Sequence, residues 1–254
     1  TEIIIPRCIS KPDFLDKSLI WIKLSVYCTA SLVRSIACVI ITGNGQAAEF
    51  VREPAQYGDD MDLYQEAILT FRQQFLEAEK TELREPTAMT LATVDERGRP
   101  SARTMLLKSV DESGFVFFTN SCSRKGRELE HDAHAALCFF WQTLMKQVRV
   151  EGDVTRISTE NANAYWRTRP RDSQIGAWAS RQSEPLDSRQ TLLDQVERYR
   201  EKFKDGPVPR PDHWMGFCLV PDYIEFWKSG WYRLHERISY RKTADGWSRT
   251  LLNP

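Results

Sequence analysis

The stretch YIEFWKSGWYRLHER, Tyr223 to Arg237, reads as two strands about a short turn at Ser229-Gly230. In a strand, side chains two apart share a face, so the second strand should turn Arg233, His235 and Arg237 the same way. Leu234 and Glu236 should face the other way, with Ile238 just beyond. Two guanidiniums and an imidazole on one face repel each other unless an anion or dipole sits among them. Glu225 and Trp227 lie just upstream. By itself the pattern fits an anion-binding face and an exposed basic strand with an aromatic neighbour equally well.

The 254 residues suffice for one large domain or two small ones, and 41% hydrophobic with 28% charged residues is an ordinary globular composition. Formal net charge is zero, which gives no bulk electrostatic case for nucleic acid or an anionic membrane. The six cysteines are scattered without a CxxC pair, as expected of reduced thiols in the cytoplasm rather than a disulfide framework or zinc site. His131 and His134 form an HxxH, but no Cys, Asp or Glu spacing completes a metal motif, so no metal is expected. Residues 1–60 are patterned differently from the remainder of the chain. Ile20 to Ile41 is apolar and β-branched, yet Lys23 and Arg34 interrupt it, and each would cost roughly 2.5–3.5 kcal/mol at a bilayer centre. It lacks the layout of a signal peptide. Residues 1–60 are therefore expected to be an extension, poorly ordered or not native to the functional protein, with the functional domain at 61–254.

From Asp62 the signals are clean. Leu63, Ala67, Phe71 and Phe75 recur every four residues, one face of a helix to about Lys80. Ala88–Val94, Ala102–Lys108 and Gly114–Phe118 read as strands joined by turn clusters. Ser123 suits the N-cap of a short helix over Arg124–Glu130. Ala135–Trp141 and Val148–Ile157 come next as strands. A helix capped by Ser158 or Thr159 should end at Pro170, and another should run from Ser188 to Lys204. Gly216–Trp227, Arg233–Tyr240 and Trp247–Leu252 are the final strands. Many antiparallel strands with a few helices imply an α+β, mainly antiparallel β protein built on a barrel.

Three groups could carry chemistry. Arg103 to Lys108 leads to Phe118-Thr119-Asn120 and then Ser123-Arg124-Lys125, where a helix start offers free N–H groups and a positive dipole end to an anion. Arg103 and Lys108 differ in parity, so they need a bulge or opposite rims to serve one site. Tyr165 and Arg169 are four apart on one helix face, with Ser173 just past the proline break. A phenol, a guanidinium and a hydroxyl suit a phosphate, but the same residues also fit a plain amphipathic helix end whose C-terminal arginine is favoured by the dipole. Gln147, Gln182 and Ser183 matter only beside a ring bearing donors and acceptors. No Gly-rich dinucleotide turn, P-loop or nucleophile elbow is present, so redox power would have to come from an organic cofactor.

Taken together, these residues resemble the pyridoxine/pyridoxamine 5′-phosphate oxidase family, a group of FMN-binding split β-barrels with flanking helices. The resemblance spans about Pro86 to Pro254. It rests first on Glu225-Phe226-Trp227 followed by Arg233-Leu234-His235-Glu236-Arg237. Supporting matches are Pro86-Thr87-Ala88-Met89, Ser101-Ala102-Arg103, Ser123-Arg124-Lys125, Gln147-Val148, Arg169-Pro170-Arg171-Asp172-Ser173 and Gln182-Ser183. Lys228 departs from the glutamine-like residue usual after the tryptophan. An N-terminal Arg and Tyr that fold over the substrate in the family have only Arg52 and Tyr57 as candidates here, at the wrong spacing.

The resemblance implies a cytoplasmic homodimer with FMN at the subunit interface. FMN would be held by Arg103, Thr104, Met105, Leu106, Leu107 and Lys108 on one strand, and by Phe118, Thr119, Arg124 and Lys125 beyond it. Gln147, Gln182, Ser183, Trp227 and Arg237 would complete the set. Lys108, Tyr165, Arg169 and Ser173 would take the substrate phosphate, while Arg233 and His235 would lie over the substrate ring as the catalytic pair. The implied reaction is oxidation of pyridoxamine or pyridoxine 5′-phosphate to pyridoxal 5′-phosphate, with O2 reduced to hydrogen peroxide. Neither nucleic acid nor a membrane is expected as a partner. Two other readings stay open: a related oxidase acting on another aromatic substrate, such as a phenazine precursor, and a flavin- or pyridoxal-phosphate-binding protein without turnover.

Overall fold

The computed structural model describes residues 20–23, 37–41, 47–52, 62–81 and 84–254. Two units are distinguished, Thr1–Met61 and Asp62–Pro254. In the first, strands β1 (Ile20–Lys23), β2 (Ala37–Ile41) and β3 (Ala47–Arg52) form an antiparallel sheet in the order β1-β2-β3. Most of the stretch expected to be an extension, Tyr57 included, lies outside the described residues.

In the second unit the four-residue apolar repeat forms helix α1, Leu63–Thr81. Asp62 accepts bonds from the Tyr64 and Gln65 N–H groups at 2.7 and 2.9 Å and so caps its start. Ala67, Ile68, Phe71 and Ala78 are buried, and the Phe71 ring packs edge-on to Phe115 and Phe139. Beyond it come β4 (Ala88–Val94), β5 (Pro100–Leu106), β6 (Ser109–Asp111) and β7 (Gly114–Asn120). Helix α2 (Arg124–His131) precedes β8 (His134–Trp141) and β9 (Lys146–Arg156). Three helices come next, α3 (Thr159–Thr168), α4 (Arg171–Ala179) and α5 (Arg189–Lys202). The chain ends in β10 (Trp214–Lys228), β11 (Glu236–Thr243) and β12 (Gly246–Leu251).

Nine strands, all paired antiparallel, make one sheet. Strand β4 lies between β5 and β8, and β8 leads through β9 to β10. One edge of β10 carries β7 over Trp214–Leu219 and β11 over Tyr223–Lys228. The change of partner coincides with Pro221, which has no N–H for a ladder bond, and with a register break against β9 between Pro221 and Tyr223. The run from β5 into β6 bends at Leu107-Lys108, where Leu107 N–H bonds Thr87 O and Lys108 N–H bonds Val116 O. That bend joins the β4–β5 edge to the β6–β7 edge and curls the sheet into a split barrel. Alternate residues fill its interior, among them Leu91, Phe117, Leu137, Phe139, Val148 and Val150, all at 0% exposure.

Most of the sequence-derived elements recur with ends shifted by one or two residues. Two differences bear on function. Helix α4 is absent from the expected elements, because Pro170 reads as a stop. It does stop α3, with Arg169 extended at ψ 142°, but a proline also suits a helix start, and the backbone turns directly into α4. The second strand of the Tyr223–Arg237 hairpin begins at Glu236 rather than Arg233. Trp231–Arg233 is instead a 3-10 turn with Tyr232 and Arg233 in the left-handed region, at φ 56° and 66°. Leu234, at φ −79° and ψ 72°, closes an inverse γ-turn in which His235 N–H bonds Arg233 O at 2.9 Å. Strand parity therefore does not place Arg233 and His235 beside Arg237.

Candidate functional site

Lys108 sits at the barrel's bend, where it leaves the plane of β5, and the parity conflict with Arg103 is thereby resolved. It lines a cleft of about 340 Å³ together with Tyr165, Arg169, Ser173, Phe118 and Trp214. The cleft's wall is an aromatic stack: Phe118 lies parallel to Tyr165 at 4.2 Å and to Trp214 at 4.8 Å. The Arg169 guanidinium rests on Trp214 at 4.8 Å and on Trp166 at 5.2 Å. Its Nη2 donates to Ser173 O at 3.3 Å, while Nη1 is buried with no partner. Burial makes the charged form costly and pulls the pKa of Arg169 below its ordinary value. A buried guanidinium N–H without an acceptor, beside a lysine, a phenol and a hydroxyl, is a seat for an anion.

A second cleft, about 390 Å³, is lined by Arg103, Thr104, Met105, Arg124, Lys125, Gln182 and Ser183, with Ser101 and Ala102. Seven of the residues expected at the flavin thus meet in one place. Ser123 caps α2 and accepts from Gly126 N–H. Gly126 has to be glycine, because a Cβ there would collide with Ser121 O. Lys125 is buried; its Nζ donates to Ser123 Oγ and Gln182 Oε1, each at 3.2 Å. Thr119 reaches the same Gln182 oxygen at 3.4 Å. Burial, with the charge of Arg103 adding, pulls the Lys125 pKa down to about 8. Ser183 holds a left-handed backbone at φ 73°, a costly conformation for serine that persists where surroundings demand it.

A third cluster lies at the other end of β10. Gln147, Trp227 and Arg237 are direct cross-strand neighbours on β9, β10 and β11. Arg237 Nε donates to the buried Glu225 carboxylate at 2.7 Å, and Tyr223 and Arg149 bond the same group at 2.9 and 3.1 Å. Burial alone would raise the Glu225 pKa, yet these bonds outweigh it and hold the carboxyl below its usual range. The His235 ring packs against Trp227 at 4.7 Å, and its Nδ1 accepts from Gly230 N–H at 3.3 Å. A side chain at Gly230 would collide with Leu234 O. Trp231 and Tyr232 are 89% and 94% exposed, and Arg233 is exposed beside them. Trp227 is thirteen residues beyond Trp214 along one strand, up to roughly 40 Å at ~3.3 Å per residue. Neither the Lys108 cleft nor the Arg103 cleft includes a residue of this cluster.

The expected residues therefore fall into two places within one chain. The Leu107 side chain, by contrast, is 3% exposed and packs in the core, and it lines neither cleft. Leu106 lines the Lys108 cleft rather than the Arg103 one. Sequence reasoning misses Trp214, the support beneath Arg169, for it lies 45 residues away in sequence and no local pattern links them. It also misses Glu128, a buried acid behind Arg103 and Arg124 that stands four residues after Arg124 on one helix face, and it gives no role to Glu225, the buried acid behind Arg237.

The chain is similar to known proteins over most of its length. Residues 75–203 match the family model described as pyridoxamine 5′-phosphate oxidase, and residues 214–254 match the pyridoxine 5′-phosphate oxidase C-terminal dimerisation region. Relatives named pyridoxine/pyridoxamine 5′-phosphate oxidase include one from Rubrobacter xylanophilus, 49% identical over 79% of this chain and 90% of the relative. One from Myxococcus xanthus is 50% identical over 74% and 91%. Among solved structures, PhzG from Burkholderia lata 383 in complex with tetrahydrophenazine-1-carboxylic acid superposes with a TM-score of 0.71. It is 29% identical and is covered over 77% of this chain and 98% of its own. A pyridoxamine 5′-phosphate oxidase-related, FMN binding protein from Nostoc punctiforme shares the fold at a TM-score of 0.61 and 19% identity, over 77% of this chain and all of that one.

Proposed function

Because this chain belongs to the pyridoxine/pyridoxamine 5′-phosphate oxidase family of oxidoreductases, we propose that it oxidises pyridoxamine and pyridoxine 5′-phosphates to pyridoxal 5′-phosphate with FMN as cofactor. O2 is the electron acceptor and leaves as hydrogen peroxide; with the amine substrate, water enters and ammonia leaves. The observation that carries this reading is the unpaired, buried Arg169 Nη1 in a cleft shared with Lys108, Tyr165 and Ser173. A substrate phosphate supplies the acceptor that Nη1 lacks.

The second cleft fits the phosphate end of FMN. Arg103, Arg124 and Lys125 stand there against the single carboxylate Glu128, a surplus of two positive charges for a group carrying about −1.5 to −2. Bound FMN supplies the hydride-accepting ring that the side chains lack. The chain's own part is to fix two phosphates and exclude free motion, so that reacting atoms meet at roughly 3–3.5 Å. Arg233 and His235 then cover the substrate ring. The Gly230 N–H bond to Nδ1 and the packing on Trp227 hold the His235 ring in place.

Since neither cleft includes Arg233, His235, Trp227, Arg237 or Gln147, a complete site draws them from a second copy. Residues 214–254, which match a dimerisation region, contain four of those five. FMN accordingly sits at the interface of a homodimer. Among the described residues no helix is long and apolar enough to cross a membrane; we place the enzyme in the cytoplasm. Residues 1–60 we assign to an extension outside the catalytic domain at 61–254. The family matches at residues 75–203 and 214–254 both fall within 61–254, which supports that division.

The PhzG neighbour supports a second reading, oxidation of a non-phosphorylated aromatic such as a phenazine precursor. The Lys108–Tyr165–Arg169–Ser173 cleft favours the phosphorylated substrate. Purified protein should show a yellow flavin spectrum and release peroxide on addition of pyridoxamine 5′-phosphate. Peroxide with a reduced phenazine precursor alone would favour the second reading, and a flavin spectrum without peroxide from either would leave a binding protein.

Lys125 gives this flavin site a pH signature. Its free-state pKa of about 8 rises when a phosphate dianion binds, so above pH 8 binding has to take up a proton. FMN affinity should fall as pH rises from 8 to 10, by up to about tenfold per unit. Fluorescence titrations across that range should show the step in the native chain and not in Lys125→Met.

A further inference from the structure

Glu128 stands behind Arg103 and Arg124 of the flavin cleft, and its charge has the wrong sign for a phosphate site. Its side chain is 4% exposed. One carboxylate oxygen, Oε1, accepts from Arg124 Nε at 2.8 Å. The other accepts from Arg103 Nη2 at 3.0 Å, from Ser101 Oγ at 2.7 Å and from Thr93 Oγ1. Burial would raise its pKa, but these bonds together hold it down at about 2, so the group is ionised throughout the physiological range.

The parts come from separate elements. Thr93 and Ser101 are cross-strand partners on β4 and β5, Arg103 lies two residues along β5, and Arg124 and Glu128 are one turn apart on α2. Arg103 is held from three further sides: Nη1 donates to Leu91 O at 3.2 Å and Thr93 Oγ1 at 2.6 Å, and Nη2 donates to Ser101 Oγ at 2.5 Å. Arg124 is held differently. It spends only Nε on Glu128, and both its Nη groups have no bond among the described residues while the residue lines the cleft. A long side chain that is mostly exposed would otherwise be free to leave.

We propose that Glu128 is a positioning residue of the flavin-phosphate clamp: its buried carboxylate bridges Arg103 and Arg124 and presents their remaining N–H groups to one phosphate. The proposal rests on the reading of this cleft as the FMN phosphate site. Electrostatics and positioning predict opposite signs for its removal. As a mere counter-charge, its neutralisation would tighten phosphate binding. As a positioner, its neutralisation loosens the clamp despite the added positive charge.

The test compares FMN with riboflavin, which lacks the phosphate, by fluorescence titration of flavin-stripped full-length native and Glu128→Gln protein. Positioning predicts that Glu128→Gln weakens FMN by about tenfold or more, the scale of one charge-assisted bond, and leaves riboflavin within twofold. An FMN affinity that is unchanged or tighter overturns the proposal. So does an equal loss for both flavins, which would signal a general packing defect. Should Glu128→Gln fail to fold, Ser101→Ala removes one bond to the carboxylate and one to Arg103 without altering charge. It should give a smaller loss confined to FMN, and no such loss overturns the proposal. If the native chain binds FMN no better than riboflavin, the phosphate assignment of the cleft fails instead.

Discussion

Replacing Arg169 by methionine is expected to raise KM for pyridoxamine 5′-phosphate about 100-fold while the bound flavin spectrum stays in place. The native guanidinium is clamped between Trp166 and Trp214, and one N–H group is buried without an acceptor. A phosphate oxygen there forms a charge-assisted bond worth about 3 kcal/mol at most, and each 1.4 kcal/mol is about tenfold in affinity. Methionine keeps the contact with the two indole rings and removes a half-buried charge with no carboxylate partner among the described residues, so the thermal midpoint should hold or rise. The control is pyridoxamine without its phosphate. Weak as its turnover should be, it should respond little to the substitution. Equal losses for both amines would mean that Arg169 organises the cleft as a whole rather than gripping the phosphate.

Arg233→Gly is expected to lower kcat/KM at least about 100-fold, the scale of one desolvated charged contact, with flavin affinity unchanged. Backbone geometry is the reason for glycine at this position. Tyr232 and Arg233 both hold left-handed conformations, which cost non-glycine residues about 1–3 kcal/mol each. Glycine adopts φ 66° without that cost, so stability should be unchanged or improved while activity is lost. A strained arginine on an exposed turn, flanked by the exposed rings of Trp231 and Tyr232, has no packing reason in the single chain. Activity surviving in a more stable variant would remove Arg233 from the catalytic pair. If flavin affinity fell along with activity, Arg233 would belong to the cofactor's side of the site instead.

Both predictions concern residues legible from the sequence, but for different reasons. The Tyr165–Arg169 pair comes from helix spacing, and Ser173 from the proline break, and the structure keeps all three in one cleft with Lys108. Arg233 stands out in the sequence through strand parity, and parity is the wrong physics there. Gly230 forces a tight approach to Leu234 O, two left-handed residues come after it, and the strand starts three residues late. Turn chemistry outweighs the period-2 pattern. Helix α4 is illegible because proline is both a stop for one helix and a start for the next.

From the sequence by itself came most of the elements and the side chains that line the two clefts, because periodicity, caps and turn residues act over a few positions. It also carried the resemblance that named FMN and two phosphates. The tertiary structure alone decided how these residues divide. The β5–β6 bend at Lys108 closes the barrel and brings that lysine to Tyr165 and Arg169. The partner change at Pro221 sends Trp227, Arg237 and His235 to the opposite end of β10. Contacts of that kind join residues tens of positions apart, and no local pattern encodes them. The same is true of Trp214 under Arg169 and of Glu128 behind Arg103. They are set by which strand edge the chain returns to, which is a property of the closed sheet rather than of any stretch within it.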